Sequence, residues 1–113
     1  MNSEQFKNHR DEVAKMREDL LTRKGRDYRA GSDDVLANFK NMSQRLGISK
    51  YQALAVYMGK HFDSIYKFCK SPDETQSEAI LSRILDAMNY LDLLAAMAQE
   101  DINGMKEPVN HEA

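Results

Sequence analysis

The chain has 113 residues, a formal net charge of −2, 42% hydrophobic residues and 30% charged residues. This length and composition are typical of one soluble globular domain. The mildly acidic balance disfavours a duplex nucleic-acid binder, which usually carries a strongly basic face. The single cysteine, Cys69, rules out an intramolecular disulfide and indicates a reducing cytoplasm, and no apolar run reaches the ~20 residues that a membrane span requires.

Apolar residues at helical spacing predict the first helix, with Phe6, Val13, Met16 and Leu20 on one line. Asn2 or Ser3 can cap its start, and Gly25 is predicted to follow its end.

A basic segment at residues 23–31, bounded by glycines, is predicted to be an interhelix loop. It contains four cations and one anion, a net charge of +3, together with Tyr28. Arginine pairs with phosphate oxygens and a tyrosine ring stacks on a base. The candidate nucleotide-binding residues of this segment are therefore Lys24, Arg26, Asp27, Tyr28 and Arg29. The alternative is a solvated connector that is basic without binding anything.

The second helix is predicted to begin near Ser32, an N-cap candidate, with Asp33 and Asp34 in its first turn. Its apolar seam consists of Val35, Phe39, Met42 and Leu46. Gly47 is predicted to end it with a positive φ.

Ser49 and Gln52 form a predicted capping box at the start of the third helix, which should end at Lys70. Its predicted buried stripe is Leu54, Met58, Phe62, Ile65 and Cys69, flanked by Tyr57 and His61. The fourth helix begins either at a second capping box, from Ser71 to Glu74, or at Ser77.

The fourth helix is apolar over an unusually wide arc. One line contains Ile80, Ile84, Met88, Leu91, Ala95 and Ala98, and beside it lie Leu81, Leu85, Leu94 and Met97. Such width predicts burial against more than one neighbour. The sequence thus predicts an all-α, four-helix bundle-like domain at residues 1–101, a flexible tail at 102–113, and a homo-oligomer that covers the surplus apolar surface.

Polar residues interrupt two of the apolar helices. On the fourth helix, Arg83, Asp86, Asn89 and Tyr90 recur three or four residues apart. If buried, they need partners or a ligand; the alternative is a solvent-facing stripe with an Arg83–Asp86 ion pair. On the third helix the candidates are Lys60, His61 and Ser64, and the alternatives are a packed core histidine and a solvated lysine.

Metal and nucleophile motifs are sparse. The three histidines and one cysteine do not have zinc-ligand spacing, and no phosphate-binding glycine loop is present. The carboxylates that could hold Mg²⁺ are few: Glu74 with Glu78, then Asp86, and separately Asp33 with Asp34.

The order of short phrases along residues 20–97 resembles a family of small phage and prophage proteins, the nucleotide-modification-associated helical domains. The phrases are Lys24-Gly-Arg-Asp27-Tyr28, Asp34-Val-Leu-Ala-Asn38-Phe39, Val56-Tyr-Met-Gly-Lys60-His61-Phe-Asp-Ser64-Ile65, Ser77-Glu78-Ala-Ile80, Arg83-Ile-Leu-Asp86 and Asn89-Tyr90-Leu91. The resemblance implies a nucleotide-related role in the host cytoplasm and adds Asn38 to the candidate residues.

More distantly, the chain is similar to the all-α (MazG-type) nucleoside triphosphate pyrophosphohydrolases. Those enzymes hold magnesium with Glu-x-x-Glu and Glu-x-x-Asp pairs, whereas here Glu74 and Glu78 are four apart and Asp86 is followed by Asn89. The favoured hypothesis is therefore a protein that holds or sequesters a nucleotide or cyclic-nucleotide signal, with no catalytic residue and no cofactor. The alternatives are a Mg²⁺-dependent nucleotide-processing enzyme and a structural helical interaction module.

Overall fold

The computed structural model describes residues 1–29, 33–74 and 77–106, leaving out the side chains of residues 24–29, 74, 77, 78 and 106. It contains four α-helices: α1 (Ser3–Arg29), α2 (Ala37–Leu46), α3 (Lys50–Lys70) and α4 (Ser77–Lys106). A short 3-10 turn, Pro72–Glu74, precedes α4. No strand occurs in these ranges. The prediction of a small all-α, bundle-like domain is confirmed.

The first helix is longer than predicted at its C-terminal end. Asn2 caps its start, because its Oδ1 accepts from the Gln5 amide at 2.8 Å and the Gln5 side chain accepts from the Asn2 amide at 2.8 Å. At the other end α1 continues to Arg29, so the prediction of a loop at residues 23–29 is wrong. A helical Gly25 costs roughly 1 kcal/mol relative to alanine.

The second helix begins later than predicted, at Ala37 rather than near Ser32. Ser32 itself lies outside the described residues. The Asp34 carboxylate accepts from the Leu36 amide at 2.9 Å and from Lys40 Nζ at 2.6 Å. These bonds hold residues 35 and 36, which precede α2, in a turn. A side chain that accepts from the backbone amide two residues further along the chain competes with helix formation. Gly47 ends α2 with φ 66°, as predicted.

Both ends of α3 agree with the sequence prediction. The Ser49 hydroxyl accepts from the Gln52 amide at 3.0 Å, and the Gln52 side chain accepts from the Ser49 amide at 2.9 Å. The helix ends at Lys70. The fourth helix starts at Ser77, the second of the two predicted starts, and runs past Asp101 to Lys106. Residues 102–106 of the predicted tail are therefore helical, and residues 107–113 lie outside the described ranges.

The core lies where α2, α3 and α4 meet. Helices α3 and α4 run antiparallel, because Lys50 Nζ bonds Asp101 Oδ1 at 2.5 Å near one end and His61 faces Asp86 further along. The buried side chains between them are Leu36, Phe39, Ala53, Leu54, Tyr90, Leu93 and Met97, with Leu21 of α1 packed against them. A bond from Arg17 Nη2 to Asp92 Oδ2 also ties α1 to α4.

The predicted apolar stripes are only partly covered. Residues 3–12 of α1 are all exposed, and Phe6 and Met16 keep 53% and 50% of their surface in solvent. Leu46 and Cys69, which the sequence placed on buried lines, are also exposed. Each of these side chains lies on a face or at an end of its helix that the neighbouring helices do not cover. None of the helices in the described ranges has a segment apolar and long enough to cross a bilayer.

A charged network joins the starts of α2 and α3 to the end of α4. Lys40 Nζ binds Asp34 and, at 2.8 Å, Glu100 Oε1. Lys50 and the Tyr51 hydroxyl both donate to the Asp101 carboxylate at 2.5 Å. The bond from Lys40 holds the pKa of Asp34 below its ordinary value, and the bonds from Lys50 and Tyr51 do the same for the pKa of Asp101.

Two glycine substitutions should change stability in opposite directions. Gly47→Ala puts a Cβ at a positive φ and should destabilise the fold by about 1 kcal/mol. Gly59 lies inside α3 with open space around an added Cβ, so Gly59→Ala should stabilise it by up to about 1 kcal/mol. Thermal melts followed by circular dichroism measure both. Equal signs would contradict the assigned end of α2.

The charged network should make stability depend on acid. A lowered folded pKa means that the carboxylates of Asp34 and Asp101 stabilise the fold above their ordinary pKa of 3.8, and that this contribution is lost as pH falls through the folded pKa. Urea unfolding from about pH 6 to about pH 2.5 should show a falling free energy. The free energy of unfolding of the Lys40→Met variant should differ from that of the parent at the higher pH and approach it at the lower pH. A difference that stays constant with pH would show that Lys40 does not act through Asp34.

Candidate functional site

A buried polar cluster lies between α3 and α4. It consists of His61 from α3 and Asp86, Asn89 and Tyr90 from α4, and is called the polar cluster below. Asp86, Asn89 and Tyr90 keep 7%, 2% and 8% of their surface exposed, and the His61 side chain 18%. Titratable and amide groups are seldom buried this deeply unless they are paired. The polar cluster is therefore the part of the described chain that packing alone explains least.

Helical spacing brings these residues together. Asp86, Asn89 and Tyr90 are separated by three or four positions, so they lie on one face of α4. His61 follows Tyr57 by one turn on α3 and lies opposite them. The antiparallel packing of the two helices then aligns Tyr57 with Tyr90 and His61 with Asp86.

Four rings pack together in and beside the polar cluster. The rings of Tyr57 and Tyr90 are stacked, with centroids 6.1 Å apart and planes at 11°. The His61 ring lies 5.3 Å from that of Tyr90, and Phe39 meets Tyr57 edge-on at 5.8 Å. His61 Nδ1 is 3.8 Å from Asp86 Oδ2, close enough for attraction when the imidazole is protonated. The site thus combines flat aromatic surface with one carboxylate and one amide.

The Asn89 amide is the most unusual group in the polar cluster. It is 2% exposed, and among the described residues neither its nitrogen nor its oxygen has a hydrogen-bond partner. Leaving a buried donor or acceptor unsatisfied costs about 1–3 kcal/mol, so proteins rarely keep such a group without a use for it. A ligand with an adjacent donor and acceptor would satisfy both ends of the amide.

The structure brings together His61, Asp86, Asn89 and Tyr90 of the residues that the sequence singled out. The solvent-stripe alternative is wrong for the three α4 members, because they are buried. It holds for Arg83, whose side chain is exposed.

The other predicted candidates that the structure describes lie elsewhere. Lys60 is exposed, and the Ser64 hydroxyl donates to the Lys60 carbonyl at 3.1 Å, a bond within its own helix. Asn38 is half-buried and lines a shallow depression of about 280 Å³ along α2 together with Asn41, Met42, Arg45 and Leu46. None of the residues lining that depression belongs to the polar cluster.

The basic residues of the sequence prediction lie in the last turns of α1. These are Lys24, Arg26, Asp27, Tyr28 and Arg29. Their side chains are outside the description, so their proposed contact with a phosphate stays a prediction.

Sequence reasoning assigned Tyr57 and Phe39 only to packing. Tyr57 precedes His61 by four residues, and this spacing was a signal that the two share a face. Phe39 gave no such signal, because its place beside Tyr57 depends on how α2 packs against α3.

The described side chains include no group of three or more His, Cys, Asp or Glu residues close enough together to hold a metal ion. The side chains of Glu74 and Glu78, which the sequence named as candidate magnesium ligands, are not described. Asp86 is the one carboxylate in the polar cluster.

Comparison of the chain with protein-family models, with curated protein sequences and with solved structures gives no match. The resemblance to the phage-encoded helical domains therefore stays a prediction, and the candidate site rests on its own geometry.

Proposed function

We propose that the protein binds a nucleotide, or a cyclic-nucleotide signal, at the polar cluster and holds it without catalysing a reaction. The observation that carries this proposal is the buried Asn89 amide, which lacks a partner among the described residues and lies on the same face of α4 as Tyr90.

The base is the part of a nucleotide that the polar cluster suits. An asparagine amide presents a donor and an acceptor side by side, the pattern that base edges complement. Aromatic side chains stack on bases, and each stacked base contributes about 1–3 kcal/mol. The rings of His61 and Tyr90 lie beside each other, so a base would stack on them by separating them. The Asp86 carboxylate can accept from a base amine or imino group.

The phosphate requires positive charge, which the polar cluster does not provide. The Asp86 carboxylate would repel a phosphate, whereas the last turns of α1 contain Lys24, Arg26 and Arg29. Arginine binds phosphate through paired hydrogen bonds. The proposal therefore divides the ligand, with the base at the polar cluster and the phosphate at the basic end of α1.

A magnesium-dependent pyrophosphohydrolase remains the alternative from the sequence. Such chemistry needs several convergent carboxylates to hold the ion against the phosphates. Asp86 is the one carboxylate of the polar cluster, and no observation in the described part of the chain favours hydrolysis over binding.

Replacing Asn89 should separate stability from binding. Asn89→Leu removes, at similar volume, a buried amide that has no partner among the described residues. The ligand-free protein should therefore gain about 1–3 kcal/mol, and its melting temperature should rise by several degrees. Nucleotide binding should fall below detection. The measurements are thermal melts, and titration calorimetry with ATP, GTP, CTP, UTP, cyclic AMP and cyclic GMP, guided by mass spectrometry of small molecules released by heating the purified protein.

Asn41→Leu is the matched control, since Asn41 is exposed on α2 and the change should leave both quantities nearly unchanged. A lower melting temperature with normal binding for Asn89→Leu would show that the amide is structural. If no nucleotide is released on heating and none of the probes binds, the proposal is wrong.

The basic end of α1 can be tested separately. Arg26→Ala should weaken binding roughly tenfold to hundredfold, because a charge-assisted bond to phosphate is worth about 1.5–3 kcal/mol. The melting temperature should change little, since arginine and alanine are both good helix formers. Tyr28→Phe should bind nearly normally and Tyr28→Ala should not. Arg10→Ala, in the exposed first half of α1, is the control. Normal binding by both alanine variants at positions 26 and 28 would leave this segment without a role in the site.

A further inference from the structure

A second apolar face runs along α4. Its residues alternate in spacings of three and four without interruption, and they are called the α4 seam: Leu81, Ile84, Met88, Leu91, Ala95, Ala98, Ile102 and Met105. This is the a and d pattern of a heptad repeat, and it continues for the three to four heptads over which such a pattern indicates helix pairing.

Most of the α4 seam lies outside the core. The side chains that α4 buries are Ile80, Asp86, Ala87, Asn89, Tyr90, Leu93 and Met97. At 100° per residue their mean direction is about 135° from that of the seam. In agreement, Leu81, Leu91 and Ile102 are 52%, 46% and 43% exposed, and Ala95 is exposed as well.

A helix that faces only water on this side would carry polar residues there. The α4 seam instead has eight apolar positions over about 36 Å of helix, of which five are exposed and Ile84, Met88 and Ala98 are half-buried. Isolated exposed apolar residues need no explanation, but a continuous strip of this length marks an interaction surface. Its regular heptad spacing specifies the shape of the partner, which is another helix with the same period.

We propose that the α4 seam packs against the α4 seam of a second copy of the chain, with the two helices antiparallel. Because one patch then meets itself about a two-fold axis, the contact closes as a dimer and leaves no seam for further copies. The observation behind the proposal is that the seam is complementary to itself in this orientation.

Side-chain volume decides the orientation. The first half of the seam is bulky and the second half opens with two alanines. Antiparallel pairing centred near residue 93 places Leu91 against the partner's Ala95 and Met88 against the partner's Ala98. Large side chains then fill the space above small ones, as close packing requires. Parallel pairing would set alanine against alanine at two successive layers and leave a gap.

The proposed interface does not depend on the proposed function. Asp86, Asn89 and Tyr90 lie on the α3-facing side of α4, and the seam lies on the opposite side. Failure of the dimer would leave the nucleotide-binding proposal standing, and the reverse is also true.

Light scattering coupled to size-exclusion chromatography tests the interface on the full chain. At about 10–100 µM the parent should have twice the chain mass of 13.0 kDa. Leu91→Glu buries a charge at the centre of the seam and should weaken dimerisation at least a hundredfold, giving the monomer mass. Val56→Glu, the same kind of change at an exposed apolar residue of α3, should remain dimeric.

A parent mass of 13.0 kDa, or a Leu91→Glu variant with the parent's mass, would overturn the proposal. If Leu91→Glu loses its helical circular dichroism, Ile102→Glu, nearer the end of α4, decides the question by the same criterion.

Disulfide cross-linking tests the orientation. In a Cys69→Ser background, the Leu81→Cys and Met105→Cys variants are oxidised separately and then as a mixture that has been allowed to exchange subunits. Antiparallel pairing brings position 81 against the partner's position 105, so the mixture should cross-link and neither variant alone should. A cross-linked product from either variant alone would overturn the antiparallel arrangement.

Discussion

The rest of the structure depends on how α3 packs along α4. Three contacts mark the line of this packing: Lys50 with Asp101 at one end, Tyr57 with Tyr90 in the middle, and His61 with Asp86 towards the other end. Partly exposed ion pairs such as the first contribute about 0–1 kcal/mol. Most of the stability must therefore come from apolar side chains such as Leu54, Leu93 and Met97. The packing also determines which face of α4 is buried and which is left outside.

The polar cluster conflicts with the apolar packing around it. A leucine or methionine at position 89 would suit a helix interface better than an asparagine without a partner among the described residues. Natural sequences are otherwise consistent across local pattern and packing, and departures from that consistency concentrate at functional sites. Stacked rings beside the amide make a planar, hydrogen-bonding ligand a better explanation than a structural role.

Local signals made much of the fold predictable. The cap at Ser49 and the stop at Gly47 involve neighbours within a few residues, so the sequence alone located them, and it narrowed the cap of α1 to Asn2 or Ser3. The end of α1 was misplaced because a single glycine was taken as a stop. In the site, the spacing of Asp86 and Asn89 identified a shared face. The sequence did not show whether Arg83 is buried with Asp86 and Asn89. That depends on which face of α4 packs against α3, and no local pattern encodes this.

One helix thus has two faces with different physical requirements. The side that meets α3 mixes apolar contact with a costly polar cluster, whereas the α4 seam is apolar and regular throughout. The proposed ligand at the polar cluster would strengthen contact between α3 and α4 within one chain, and the proposed second copy at the seam would bury surface that α3 does not reach. Two binding sites are coupled only if each ligand binds one conformation of a shared structural element more tightly than another conformation. For a rigid α4 the two proposed events are therefore energetically separate, and we expect the ligand affinity to be the same in a monomer and in a dimer.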